Sequence, residues 1–108
     1  MLLVAGLVVA GEWTTYADVA AGAGHPGCAR QVGRLASVHP DFPDAHRVLG
    51  SGGRVVRPTP AGTARARRRL EREGVGFDGA RADPGRRVTW VTLRGRLAEL
   101  TEPADAPA

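Results

Sequence analysis

Residues 15–38 read TYADVAAGAGHPGCARQVGRLASV, and this stretch decides the fold. Thr15 is placed as an N-cap, because its hydroxyl can accept from a free backbone N–H one turn on. Asp18, three residues later, approximates a capping box and favours the positive helix end. A helix is predicted from Tyr16 to about Ala23, built mostly of small residues and ended by Gly24. His25-Pro26-Gly27 is the turn, and Pro26 suits the first turn of the next helix. In that helix, Cys28 to Val38, the residues Cys28, Val32, Leu35 and Ala36 share one face at spacings of three and four. Arg30, Gln31, Gly33 and Arg34 fall elsewhere. Two short helices joined by a Gly-containing turn, the second carrying arginines outward, outline a helix-turn-helix.

Upstream, MLLVAGLVVA (1–10) is apolar but too short to span a bilayer and lacks a basic n-region, so a buried helix over 2–10, stopped by Gly11, is expected. Leu2, Leu3, Leu7 and Val9 are among its apolar positions, and Trp13 follows as a core anchor. Downstream, 39–44 (HPDFPD) is a loop, since two prolines forbid a continuous helix or central strand. His46 to Leu49 begins an apolar turn broken by Gly50-Ser51-Gly52-Gly53, and Arg54-Val55-Val56 reads as a brief strand. Thr63 is expected to cap a helix over Ala64–Glu73 with Gly74 as its stop. Arg67–Glu71 and Arg69–Glu73 sit there at i,i+4 in the less favourable basic-first order. Residues 76–87 read as loop and Val88 to Leu93 (VTWVTL) as the best strand candidate. The expected class is mainly α, a small winged-helix-like, helix-turn-helix domain with short strand segments. Residues 1–100 are expected to form one domain, with a frayed Pro/Ala/acidic tail over 101–108.

With 108 residues, 43% of them hydrophobic and 24% charged, the chain can bury one modest core, and wholesale disorder is not expected. The net charge is +4 and every basic residue is arginine. Guanidinium groups offer a planar fork of donors to paired phosphate oxygens. The single cysteine, Cys28, excludes an intrachain disulfide and a Cys-based zinc site. His25, His39 and His46 lack the spacing of a metal cluster, so neither metal nor cofactor is expected. The reading is of a cytoplasmic monomer without a membrane partner.

Thr14-Thr15-Tyr16, Ala29-Arg30-Gln31-Val32-Gly33, Ala45-His46-Arg47-Val48 and Glu73-Gly74 occur in this order. Together they resemble the C-terminal DNA-binding domain of the O6-alkylguanine-DNA alkyltransferases, over roughly Leu7 to Val75. The resemblance implies that Tyr16 sits under the backbone next to the target nucleotide and helps rotate its phosphate. It implies that Arg30 enters the base stack, with Gln31, Gly33 and Arg34 on the same DNA-binding helix and Gly33 allowing close approach. In the enzymes a Pro-Cys-His-Arg-Val segment carries the alkyl-accepting cysteine, a histidine helps deprotonate it through water, and a glutamate orients the histidine. His46, Arg47 and Glu73 match that pattern. Ala45 stands where the cysteine would be, so dealkylation at that position is impossible, and Cys28 is too poorly placed to replace it.

Members that have lost this cysteine, the alkyltransferase-like proteins, bind DNA carrying O6-alkylguanine, flip the lesion and recruit repair factors. The resemblance therefore implies a noncatalytic protein whose partners are double-stranded DNA, alkylated or not, and a repair protein. Ala45, His46, Arg47 and Glu73 would form its lesion pocket. Several departures favour a rival, a helix-turn-helix regulator or scaffold that has lost lesion recognition. Asp44 replaces proline, His39-Pro40 replaces Asn-Pro, and the lid over Gly53–Gly62 lacks a counterpart of the family's tyrosine; alanine in place of the usual tryptophan instead leaves a roomier pocket. The arginine-rich helix after residue 63 reads as a solvated basic face.

Overall fold

The computed structural model describes residues 2–39 and 41–101; residues 102–108 lie outside the described residues. The helix-turn-helix forms as the capping pattern requires. Helix α2 runs Tyr16–Gly22 and α3 runs Ala29–Val38, after a short helix α1 at Leu2–Ala5 and the strand β1 at Thr14–Thr15. Thr15 Oγ1 accepts from the Asp18 backbone N–H at 3.1 Å, and the same hydroxyl donates to Asp18 Oδ2 at 2.9 Å. The second helix starts later than Pro26 suggested: His25–Cys28 is a separate turn closed by a bond from Cys28 N–H to the His25 carbonyl, and Cys28 becomes the N-cap.

Beyond the two helices come strand β2 (Val48–Leu49), helix α4 (Pro60–Arg72), the hairpin strands β3 (Phe77–Asp78) and β4 (Arg81–Ala82), and helix α5 (Trp90–Thr101). Strands β1 and β2 pair in parallel, Thr14 with Val48 and Thr15 with Leu49, whereas β3 and β4 are antiparallel. Trp13 extends the first sheet on its other side, accepting from Val88 N–H and donating to the Arg86 carbonyl. Successive strand residues face opposite sides. Accordingly Val48 enters a core with Val4, Val8, Val19, Val32 and Leu93, while Leu49 enters a second core with Trp13, Leu70, Val75 and Ala82. Two residues of β2 thus join both cores, directly after Ala45–Arg47.

Several further elements depart from the sequence expectation, three of them helices. The helix expected over 2–10 stops at Ala5: Gly6 follows, and the chain then makes shorter i,i+3 bonds from Leu7 to Val4 and Val8 to Ala5. Gly6 has little helix propensity, and the tighter turns bury Val8 while leaving Leu3 and Val9 exposed. Helix α4 begins four residues earlier than expected, because Thr59 is the cap, accepting from Gly62 N–H at 3.0 Å, and Pro60 takes the first helical position.

The third departure is the largest. VTWVTL is no strand; from Trp90 it is the start of α5. The buried Asp18 carboxylate accepts from the Trp90 backbone N–H at 3.2 Å, anchoring the helix start, while Arg87 donates to the same carboxylate at 2.7 Å. Leu93 and Leu97, four apart, pack against the first core. A tertiary contact overrode β propensity here. The loop expected over 76–87 contains the β3–β4 hairpin, and Arg54 enters it only through isolated bridges to Gly50 and Arg81. Trp13 is the anchor expected of it, 2% exposed, with its indole N–H donating to the Asp83 carbonyl at 2.7 Å.

Gly53 lies under this indole with φ +82°, and a Cβ there would sit 3.0 Å from the Trp13 ring and 3.1 Å from the Ala82 nitrogen. Gly53→Ala combines left-handed strain with overpacking, and is expected to cost about 2–3 kcal/mol in urea unfolding. An unchanged midpoint would show that the indole can move aside.

Candidate functional site

The short 310 turn Ala45–Arg47 is held between α4 and β2, and its Ala45 and His46 line a cleft of about 330 Å3. Phe42 and Asp44 complete that wall, Gly62, Arg65, Ala66 and Arg69 of α4 form the opposite one, and Arg57 closes one end. Gly62, Arg65, Ala66 and Arg69 are spaced three and four apart, so one face of α4 meets the cleft. Two small residues make room and two arginines border it.

Arg47 and Glu73, grouped with the pocket in the sequence reading, stand behind the cleft and do not line it. Glu73 is the residue that ends α4. Its carboxylate accepts from Arg47 through Nε at 3.0 Å and Nη2 at 2.8 Å, a two-pronged pair, and its Oε2 lies 3.0 Å from His46 Nε2. Arg47 Nη1 also donates to the Val8 carbonyl and to Asp44 Oδ2, both at 3.0 Å. The expected Arg69–Glu73 pair therefore does not form; Glu73 is committed to the turn. The Arg67–Glu71 pair does form, as a loose 3.7 Å contact on the surface.

These bonds from Arg47, above all, hold the Glu73 carboxyl down at a pKa of about 2, outweighing the upward push of burial. Burial lowers the pKa of His46, and the nearby Glu73 only partly offsets it. With Glu73 ionised, the proton of the neutral imidazole belongs on Nε2. His46 Nδ1 is then a bare acceptor, buried and without a partner among the described residues.

Asp44 has φ +45°, the one positive value among the described non-glycine residues. Proline, locked near −65°, could not adopt it, whereas aspartate tolerates it. The exchange of proline for Asp44 thus reshapes the approach to the turn. His39 is a loop residue whose Nδ1 accepts from Asp41 N–H at 3.1 Å.

On α3, Arg30, Gln31 and Arg34 are exposed and share a shallow groove with Gly27. Neither arginine makes an ion pair among the described residues. Gly33 faces a neighbouring groove with Tyr16, Ser37, Val56 and Arg57, and a Cβ there would meet nothing within 4 Å. The fold's own packing does not require glycine at this position. Tyr16 opens α2, and its hydroxyl accepts from Arg57 Nη1 at 3.0 Å. Arg57 also donates to the Val56 and Ala45 carbonyls, so one guanidinium links Tyr16 to the cleft. Sequence reasoning missed Arg57, which sits in an irregular Val-Val-Arg-Pro stretch with no periodicity to mark it. It also missed that Arg65 and Arg69 turn towards the cleft; their spacing with Gly62 and Ala66 was the available signal. Cys28 is half-buried at the start of α3 and does not line the cleft. Among the described residues no cluster of His, Cys, Asp or Glu could hold a metal ion, and no helix is long and apolar enough to cross a membrane.

The family model of the 6-O-methylguanine DNA methyltransferase DNA-binding domain matches residues 3–75. Alkyltransferase-like protein 1 of Schizosaccharomyces pombe is 41% identical over 68 residues, which span 60% of this chain and 63% of that protein, less than two thirds of its length. A crystal structure of the same S. pombe protein, in complex with damaged DNA containing O6-carboxymethylguanine, superposes with a TM-score of 0.61 at 35% identity, covering 71% of this chain and 75% of that one. The O6-methylguanine methyltransferase of Mycobacterium tuberculosis gives 0.59 at 32% identity, covering 67% of this chain and 44% of the longer enzyme.

Glu73 and His46 predict a characteristic acid response. Both groups have folded-state pKa values below their ordinary ones, so each contributes stability that is lost as pH falls. For His46 the loss begins below 6.5, and for Glu73 it runs from 4.5 down to about 2. The Glu73 shift corresponds to at most about 3 kcal/mol, which solvent screening reduces to about 1–2 kcal/mol. In urea unfolding, Glu73→Gln should be destabilised by at least that much at pH 7, with the gap to wild type closing between pH 4.5 and 2. A gap independent of pH would contradict the ion-pair account.

Proposed function

The chain belongs to the family of the 6-O-methylguanine DNA methyltransferase DNA-binding domain, and from that premise we propose that it is a noncatalytic sensor of O6-alkylguanine in duplex DNA. The observation that carries the reading is Ala45. The His46–Glu73–Arg47 cradle is complete behind the cleft, yet the side chain it would activate is a methyl group. A bare Nδ1 has no thiol proton to take, and no bond to the alkyl group can form. What remains is a shaped cavity that can hold a base without altering it.

Helix α3 enters the minor groove in this account. Arg30 is exposed and has no hydrogen-bonding or ionic partner for its side chain among the described residues, so its guanidinium can stack in the gap left by an extruded base and donate to the orphaned one. Gln31 and Arg34 share its groove and reach the neighbouring backbone. Gly33 leaves open space where a side chain would hold the DNA strand away. Tyr16 turns the target phosphate, and the nucleotide swings into the cleft beside Ala45 and His46. Unstacking costs a few kcal/mol, less at a damaged pair, and Arg30 together with the cleft contacts offsets it. The flipped complex then serves as the signal that a repair protein reads. The S. pombe relative, crystallised with damaged DNA containing O6-carboxymethylguanine, supports this reading.

Titration of matched duplexes with and without one O6-methylguanine, at fixed moderate salt, tests it directly. Tighter binding of the modified duplex with no methyl transfer is expected. Equal affinity for both would favour the rival, a DNA-binding regulator or scaffold without lesion recognition. Arg30→Ala should reduce affinity for the modified duplex about tenfold and for the unmodified one by less. Equal losses on both duplexes would overturn the finger function of Arg30.

A further inference from the structure

Of the five arginines of α4 (Arg65, Arg67, Arg68, Arg69 and Arg72), only Arg65 and Arg69 line the cleft. Arg67 is occupied: its guanidinium stacks on Phe77 at 4.5 Å, donates to the Gly79 carbonyl at 2.8 Å and approaches Glu71. Arg65 and Arg69 are one turn apart, both exposed, and neither side chain has a hydrogen-bonding or ionic partner among the described residues. Both border the cleft that holds Ala45. Among the described residues no carboxylate or carbonyl meets either guanidinium, and two adjacent like charges on one helix face repel.

The charge in the cleft is unbalanced. Arg57, Arg65 and Arg69 line it against a single carboxylate, Asp44, which is already bound by Arg47 Nη1 at 3.0 Å. His46 is the remaining titratable group lining the cleft, and Glu73 behind it is consumed by Arg47 and His46. Arg57 donates to three oxygens of the chain itself, so the unfilled donors belong to Arg65 and Arg69. An extruded guanine with a neutral alkyl group brings no charge to meet them. Ala45, with only a methyl side chain, leaves room for a substituent longer than methyl to extend towards α4.

We propose that this cleft prefers guanines whose O6 substituent ends in a negative charge, such as a carboxyalkyl group, and that Arg65 and Arg69 are the specificity-determining residues. The inference rests on the cleft being the base pocket, as set out above. A carboxylate at the end of the substituent accepts from one or both guanidiniums, and their fork geometry suits paired oxygens. The contact is partly solvated, so its effect is moderate and weakens with salt.

The test compares four duplexes that differ only at one guanine: unmodified, O6-methyl, O6-carboxymethyl and the neutral O6-carboxamidomethyl isostere. Wild-type protein should bind the carboxymethyl duplex about fivefold more tightly than its amide isostere at moderate salt. The double variant Arg65→Gln/Arg69→Gln should lose that preference while still favouring the methylated over the unmodified duplex. Glutamine is a good helix former and both positions are exposed, so α4 persists; a matching circular dichroism spectrum checks it. Equal wild-type affinity for the carboxymethyl and amide duplexes, with the methylated duplex still preferred over the unmodified one, would overturn this inference alone. Equal affinity for all four would overturn the sensor reading with it. A double variant weakened equally on every duplex would assign the two arginines to DNA phosphates and overturn the charge preference.

Discussion

The architecture of the cleft depends on one carboxylate in an unfavourable place. Glu73 ends α4, where the partial negative charge of the helix disfavours an anion. It persists there because Arg47 grips it through two nitrogens and His46 through a third. The same arginine reaches the Val8 carbonyl after α1 and the Asp44 carboxylate before the turn. Glu73 thereby fixes the 310 turn against the helix that forms the opposite wall. The exposed part of the cleft is shaped by residues behind it that never line it.

A second carboxylate has the corresponding task for the helix-turn-helix. Asp18, 5% exposed, receives the Thr15 hydroxyl, the Arg87 guanidinium and the Trp90 backbone N–H. It joins the helix-turn-helix to the segment that leads into α5. Between the two hubs, Val48 and Leu49 of β2 insert into separate cores. Helix α3 and the cleft are thus parts of one packed frame.

The departures from the alkyltransferase pattern concentrate around Ala45, beside the intact bonds of His46, Glu73 and Arg47. Asp44 adopts a backbone conformation closed to proline and is tied to Arg47, so it belongs to the local architecture. Arg57 occupies the stretch where the family lid carries a tyrosine, and it binds Tyr16 and the Ala45 carbonyl at once. The cleft sets the His46–Glu73–Arg47 bonds beside the exposed cationic surface of Arg65 and Arg69.

Sequence alone determined the helix-turn-helix pair and its cap, because capping and apolar periodicity are local properties read within a few residues. Ala45, His46 and Glu73 could be placed from motif order for a related reason: the types and spacing are specific even without contacts. The tertiary structure decided the rest. VTWVTL favours a strand by composition, and only Asp18, some seventy residues earlier in the chain, makes Trp90 the start of a helix. Glu73 had a nearer partner in sequence in Arg69, and only the approach of the 45–47 turn gave it to Arg47 and His46. Arg57, Arg65 and Arg69 look like ordinary surface arginines until the opposite wall stands beside them. Burial, and the choice among competing partners, are properties of distance in space, which sequence separation does not encode.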